Sequence, residues 1–388
     1  MFDYLKEANA IAKQVTQNRR ALHQMAERGF DLPKTCAFVT QELKNLGLNP
    51  IKVGKAGLSV IIGHGDKCVL LRADMDALPM RETTGLPFAS TGEYCHSCGH
   101  DTHTAMLLGA AKLLKEHEDS LPGAVKLMFQ PAEELLQGAE DMVNAGILEN
   151  PTVKAAFGLH VSVGQPESSV GTMRYSSGPA LYSGDAILIR CIGKSAHGST
   201  SYMGIDAIEI ASHIVIALNE LISREIPSTE HSVVLVGKIS GGASVNTTAG
   251  ECELEVSVRA ETNERREFLK KRVKEIAEST AAVFRGKAIY QEMYGIAPLY
   301  CDPTIAALGA KCATELGIQA IQTPPSCGTE DFTAVAQRVP AVMLNLGAGS
   351  LEEGLTCSMH HPGMVVDEGV LPLGVALYCK CAIEYLKQ

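Results

Sequence analysis

Short apolar runs alternate with stretches of helical spacing along most of this chain. Leu5, Ala8, Ile11, Ala12 and Val15 recur at intervals of three and four, which predicts a helix reaching to about residue 28. Two strand-like runs follow, Ser59-Val60-Ile61-Ile62 and Cys68-Val69-Leu70-Leu71, the second leading into Arg72-Ala73-Asp74-Met75-Asp76. The pattern then predicts a helix over 101–116, a strand over 125–130, a short helix over 139–145 and a strand over 155–160. A further strand is expected over 340–346. These strands are apolar on both faces and alternate with helices. That is the signature of an α/β protein whose mixed or parallel sheet is covered on both sides.

The middle of the chain reads differently. From Glu251 to Ala260, polar and apolar residues alternate with period two. Cys252, Leu254, Val256 and Val258 would face a core, while Glu251, Glu253, Glu255 and Ser257 would face water. Such a strand belongs to a half-exposed antiparallel sheet. Helical patterns flank it, one with Ile205, Ile208, Val215 and Ile222, the other with Leu269, Val273, Ile276 and Val283. Strand-like stretches at 185–191 and 232–236 complete a small α+β unit. Turn residues, Gly178-Pro179 and Gly295-Ile296-Ala297-Pro298, stand near both seams. The expected organisation is a discontinuous sheet domain, residues 1–183 and 297–388, with an α+β domain inserted at 184–296.

At 388 residues the chain has room for two domains of ordinary size. With 46% hydrophobic and 20% charged residues it has a globular composition, and no apolar run approaches membrane-spanning length. The start, Met1-Phe2-Asp3-Tyr4-Leu5-Lys6-Glu7, lacks the basic-then-apolar order of a secretion signal, so a cytoplasmic location with no membrane association is expected. A net charge of −10 argues against a nucleic-acid partner. Twelve cysteines without a secretion signal are expected as reduced thiols. Cys36, Cys68, Cys191, Cys252, Cys312, Cys379 and Cys381 fall in apolar or periodic surroundings and read as small core residues.

Against this background a few residues suggest chemistry. Cys98-Gly99-His100-Asp101 stands at the expected start of a helix. Glu133-Glu134 follows an apolar strand, His160 ends another, and His360-His361 lies in a loop before Pro362. Each has an ordinary structural reading: a buried thiol, a charge pair favoured by a helix dipole, a lone structural histidine. Taken together, at strand ends and in loops, they supply thiolate, imidazole and carboxylate ligands for a pair of divalent metals. One carboxylate remains over, as the general base of a metallohydrolase requires. A mixed sulfur, nitrogen and oxygen set accepts zinc, manganese, cobalt or nickel. Cys95-x-x-Cys98 looks like half of a four-thiolate site, but no second such pair completes it.

Several stretches in order resemble the amidohydrolase subfamily of the aminoacylase-type co-catalytic metallopeptidases. These are 71–79 (LRADMDALP), 96–104 (HSCGHDTHT), 129–134 (FQPAEE), Gly158-Leu159-His160, 193–198 (GKSAHG) and Gly328-Thr329-Glu330-Asp331-Phe332. That subfamily includes hippurate hydrolases, N-acyl-amino-acid deacylases, N-acetyldiaminopimelate deacetylases and plant indole-acetyl-amino-acid hydrolases. The resemblance implies a zinc-exopeptidase-like catalytic domain with an inserted lid or dimerisation domain. It implies two divalent metals, with Cys98 bridging them and His100, Glu134, His160 and His360 completing the sites. Glu133 would be the general base and Asp76 would orient a ligand. His197 would reach across a homodimer, or higher homo-oligomer, to stabilise the oxyanion, and Asn246 would help bind substrate. Asp74 and His103 match the motif without an implied role.

Three departures from the family stand out. Cys95 replaces the usual methionine, Thr247-Thr248-Ala249-Gly250 lacks the proline expected after the asparagine, and His23-Gln24-Met25-Ala26-Glu27 lacks the common His-Pro-Glu. The implied reaction is hydrolysis of the amide bond of a small-molecule N-acyl amino acid. Two rival readings are a metallo-dipeptidase or carboxypeptidase of the same clan and a catalytically silent scaffold. The Cys98-Gly99-His100 pattern favours the amidohydrolase branch, because the peptidase branches normally bridge their metals with aspartate.

Overall fold

The apolar runs pair into one eight-stranded mixed sheet in a computed structural model that describes residues 3–388; Met1 and Phe2 of the charged start lie outside the described residues. Across the sheet the strands run Ile51–Val53, Gly57–Ile62, Ala124–Gln130, Cys68–Asp74, Val153–Ser162, Ala341–Gly347, Thr172–Tyr175 and Gln319–Gln322. The four central strands are mutually parallel, and antiparallel neighbours flank them on both sides. Their carboxyl ends therefore share one edge, where open α/β sheets place ligands.

Continuous apolar strands are what burial on both faces demands. Every residue of Cys68–Asp74 and of Ala124–Gln130 is buried. Lys126, the polar interruption in the second strand, is buried as well. Its ammonium donates to the carbonyl oxygens of Ile147, Glu149 and Pro151 at 2.5–3.0 Å, which supplies partners for all three protons. The His100–Glu116 helix lies under the sheet and is buried almost throughout. The Val370–Leu386 helix packs on it so closely that a Cβ on Gly374 would meet the Met106 side chain.

The first helical pattern is broken in two. Tyr4–Ala10 and Ala12–Gln24 are separate helices, because Ile11 leaves helical geometry (φ −102°, ψ 2°). The second helix buries Arg19 and His23 beside Val15 and Leu22. Both polar side chains are spent on Asp101: Arg19 Nε lies 2.7 Å from its carboxylate and His23 Nδ1 2.8 Å, while His23 Nε2 lies 3.1 Å from Glu82. The Pro33–Asn45 helix has no cap from its own N-cap residue, Leu32. Glu27 serves instead, accepting from the N–H groups of Lys34 and Thr35 and from the Thr35 hydroxyl.

The chain divides into two units. The first comprises residues up to Gly178, Tyr300–Pro324 and Asp331–Gln388; the second comprises Pro179–Leu299 and Pro325–Glu330. The second unit holds a four-stranded antiparallel sheet in the order Lys287–Ile296, Gly184–Ile192, Glu251–Ala260, Ser232–Gly241, with helices Ala207–Glu225 and Asn263–Val283. Cys252, Leu254, Val256 and Val258 are buried in its core, as the alternation implies. The helix faces differ from the sequence pattern. Ile210, Ala211, Ile214, Leu218 and Leu221 are buried, whereas Ile208 is exposed and Val215 and Ile222 are half-buried. Ala207–Glu225 carries isoleucines on its polar face as well as on its buried one, so spacing alone offers more than one candidate face. In the second helix Leu269 and Val273 are buried, but Val283 is exposed at the last turn. Among the cysteines assigned to the core, Cys36 is the exception and is half-buried. Among the described residues no helix is long and apolar enough to cross a membrane.

Candidate metal centre

Each residue of the centre comes from the carboxyl edge of the large sheet or from a loop beside it. Cys98 and His100 bracket Gly99, which has φ +82° and begins the His100–Glu116 helix. A Cβ at residue 99 would stand 2.5 Å from Val161 Cγ2, so glycine is required by both conformation and space. Glu133 and Glu134 occupy a 3-10 turn, Glu133–Leu135, just past the Ala124–Gln130 strand. That turn is tied down by Asp76, whose carboxylate accepts from the Glu133 N–H at 3.0 Å and from the Glu134 N–H at 3.3 Å. Gly138 follows the turn, and any Cβ there would lie 1.6 Å from the carbonyl oxygen of Pro131.

The five candidate ligands converge. Cys98 Sγ lies 3.5 Å from His160 Nε2 and 3.3 Å from His360 Nε2. Glu134 Oε1 lies 3.5 Å from His360 Nε2 and 3.9 Å from His100 Nε2. Ligand atoms of Cys98, His100 and His160 fit within one metal-sized group, and those of Cys98, Glu134 and His360 within another. Cys98 belongs to both. Glu133 stands beside them, its Oε2 3.9 Å from His100 Nε2. Cys95 is buried and belongs to neither group.

The imidazoles are oriented by main-chain acceptors. His100 Nδ1 lies 2.9 Å from the carbonyl oxygen of Asp76, and His160 Nδ1 lies 2.6 Å from that of Val161. Both leave Nε2 facing the cluster, the arrangement metal-bound histidines adopt. Asp76 thus serves His100 through its main chain and the two glutamates through its side chain. His360 is presented from a loop at φ +63°, a conformation costly for a non-glycine residue. Its N–H donates to the carbonyl of Ser97 at 2.8 Å, next to Cys98.

The donor set fits a pair of divalent cations. His100 Nε2 and Glu134 Oε1 are buried without a hydrogen-bond partner. Burial pushes the Cys98 thiol well above its usual range and, opposed by His100, raises the Glu134 carboxyl to about 7. Desolvation of this kind is relieved when a cation replaces water as the counter-charge. Soft thiolate, imidazole and carboxylate together suit borderline metals.

His197 and Asn246 lie in the second unit, where they are neighbours. The Gly198 N–H donates to the Asn246 carbonyl at 2.6 Å, and His197 bridges to Thr247. His197 is exposed, with Nδ1 2.8 Å from the Ser199 hydroxyl. The sequence did not mark a buried support in the first unit. Arg72 lies 2.7 Å from Asp74, donates to Gln130 at 2.8 Å, and approaches Asp331 at 3.4 Å; Asp331 also accepts from Gln130 and from the Ala139 N–H. Arg72, Asp74, Gln130 and Asp331 all fall inside the family-like stretches 71–79, 129–134 and 328–332, but nothing in those stretches says that they meet.

Comparison with known proteins agrees with this geometry. The model of peptidase family M20/M25/M40 matches residues 70–384. An N-acetyl-L-cysteine deacetylase of Bacillus subtilis (strain 168) is 35% identical over 93% of this chain and 85% of its own length. An IAA-amino acid hydrolase ILR1-like 4 of Arabidopsis thaliana is 35% identical over 95% of this chain and 84% of its own. The crystal structure of a Bacillus subtilis protein described as a dinuclear metal binding peptidase of the M20 family superposes with a TM-score of 0.85, at 29% identity over 98% of this chain and 99% of that one. With the match spanning the strands, turns and loops that carry the cluster, the chain belongs to peptidase family M20/M25/M40.

Proposed function

We propose that this chain is a metal-dependent amidohydrolase that splits N-acyl amino acids into a carboxylic acid and a free amino acid. The observation that carries the reading is the convergence of Cys98, His100, Glu134, His160 and His360, with Glu133 alongside. Those five residues would hold two divalent ions, zinc, manganese, cobalt or nickel. When bound, the metals polarise the scissile carbonyl and bring deprotonation of water into reach near neutral pH. Glu133 takes the proton of the attacking water and returns it to the leaving amine. Asp76 fixes Glu133 by holding the peptide N–H on which the residue is built.

The second unit supplies the rest of the proposal as a lid or dimerisation domain. His197 of a partner subunit donates to the developing oxyanion, a contribution worth about 3–4 kcal/mol per donor. Asn246 helps bind substrate. An exposed apolar surface supports pairing of two copies. Ser232–Gly241 is an edge strand carrying exposed Leu235 and Ile239, and the Ala207–Glu225 helix exposes Ile208 and Ile216. Twelve free cysteines suit a reducing compartment such as the cytoplasm.

Metal analysis and a mass-spectrometric product screen test the reading. Metal-reconstituted protein is offered N-acetyl, benzoyl and longer acyl amino acids beside dipeptides. Release of free amino acid from the acylated series supports it. Turnover of dipeptides alone favours the peptidase reading, and metal-free, inactive protein favours a scaffold. Glu133→Gln is expected to keep both metals and lose roughly 10²–10⁴-fold in kcat, whereas Cys98→Ala loses metal as well. Near-normal turnover by Glu133→Gln would remove the base assignment.

A further inference from the structure

Two residues matched by sequence but given no role, Asp74 and His103, meet where the large sheet comes apart. The Cys68–Asp74 and Val153–Ser162 strands pair only as far as Arg72 opposite Gly158. Their outer partners continue: Asp74 still pairs with Gln130, and Val153–Ser162 still pairs with Ala341–Gly347 up to Ser162. One seam is therefore open while both neighbouring seams stay closed. Main-chain groups facing a buried gap of this kind need substitute partners.

His103, one turn into the His100–Glu116 helix, fills the gap. Its Nε2 accepts from the Val161 N–H at 2.9 Å, and its Nδ1 lies 2.6 Å from Asp74 Oδ1. A backbone N–H can only donate, so Nε2 carries no proton and Nδ1 donates to the carboxylate. Asp74 is held in turn by Arg72, whose Nη1 is 2.7 Å from Oδ2. Both nitrogens of His103 are thus engaged, which removes it as a metal ligand even though it lies close to His100. Val161 follows His160. Its carbonyl receives the His160 Nδ1 proton at 2.6 Å, and the rings of His103 and His160 lie 4.4 Å apart at 56°.

We propose that Asp74 and His103 are a positioning pair that holds this seam open and sets the backbone and ring of His160 for metal binding. The proposal rests on the reading of His160 as a ligand. His103 pins the N–H of Val161, and the carbonyl of Val161, in the next peptide group, pins the His160 ring. Holding the first restrains the Val161 backbone that carries the second, and a turn of that backbone would swing His160 Nε2 away from Cys98. Asp74 keeps the His103 proton on Nδ1, and so keeps Nε2 available as an acceptor.

Cobalt titration of the metal-free full chain tests this, with affinity and the visible absorption of the bound ion read for each variant. His160→Asn is the control for the underlying reading: it should lose one cobalt, and wild-type cobalt binding by it would defeat the ligand assignment itself. His103→Leu breaks both contacts and is expected to weaken cobalt binding about 10–100-fold and to alter the spectrum. His103→Gln can accept from Val161 and donate to Asp74, and is expected to recover affinity to within about threefold of wild type. If His103→Leu does not fold, His103→Asn, too short to span both partners, is read in its place. The pair has no positioning role if the disrupted variant binds cobalt with wild-type affinity and spectrum while His160→Asn does not. A glutamine variant weakened as much as the disrupted one would overturn the proposal equally.

Discussion

Asp76 is the residue whose loss would spread furthest through the centre. Its carboxylate receives two peptide N–H groups from the turn that carries Glu133 and Glu134. Asp76→Ala leaves both donors unpaired, at a cost of about 1–3 kcal/mol each if water does not replace the acceptor. It also frees the proposed base, Glu133, and the candidate ligand Glu134 together. The expected outcome is a lower unfolding midpoint in urea and a fall in kcat of at least tenfold, measured with metal content on the same samples. His23 gives a pH-dependent counterpart away from the ligands. Burial alone would lower its pKa, but Asp101 and Glu82 outweigh burial and the opposing Arg19 to raise it from 6.5 to about 9. His96 lies nearby, with its own pKa pushed down to about 4 chiefly by burial. Because the folded-state value lies above the unfolded one, the contribution of His23 to stability is complete below about pH 6.5 and is lost as pH rises through about 9. Urea denaturation across pH 6–10 should show this decline, and His23→Gln should flatten it. The candidate ligands stand out in the sequence because thiol, imidazole and paired carboxylates fall at the ends of apolar runs. Their supports are less visible: the family resemblance points to Asp76 but not to its bonds with the Glu133 and Glu134 N–H groups, and a buried Arg19 paired with Asp101 looks, in sequence, like any surface charge.

At the scale of elements, turn chemistry and helix ends carry the testable weight. Glu27→Ala removes the acceptor serving the start of Pro33–Asn45 and should destabilise the protein by about 0.5–2 kcal/mol with little effect on turnover. Gly138→Ala is expected to be worse on both counts. Its Cβ would collide with the main chain at Pro131, so the turn holding Glu133 must move; the prediction is about 1–3 kcal/mol of lost stability together with reduced kcat. Thermal denaturation and steady-state kinetics on one preparation separate the two cases. The strands were readable because burial on both faces leaves long apolar runs. The register of Ala207–Glu225 was not, since isoleucines at 208, 210, 214 and 216 surround the helix and only packing selects the buried ones. The break at Ile11 was hidden for the opposite reason: apolar spacing continues across it.

The whole molecule raises the question of how many chains make one site. If the His197 of one subunit serves its partner, two inactive variants should rescue each other. Glu133→Gln mixed with His197→Ala, after dissociation and reassociation, should yield hybrid dimers with one intact site, recovering about a quarter of the wild-type rate. Absence of rescue, with mixed dimers verified by mass, would mean that each chain works alone. This level was least legible, because nothing in hydrophobic spacing distinguishes an exposed edge strand from one covered by a second copy.

The reach of His360 has a consequence for the protein's lifetime. Cys98 and His360 meet across 262 positions of chain, and His360 is held there in a left-handed backbone conformation. An ion gripping both would act as a removable crosslink, tying the end of the chain to its first third with no covalent bond. Chelation should therefore do more than silence the enzyme: it should lower the melting temperature and speed protease cleavage in the 351–361 loop, which is already at the surface and would lose its tether at His360. Metal supply would then govern how long each molecule survives as well as how fast it works.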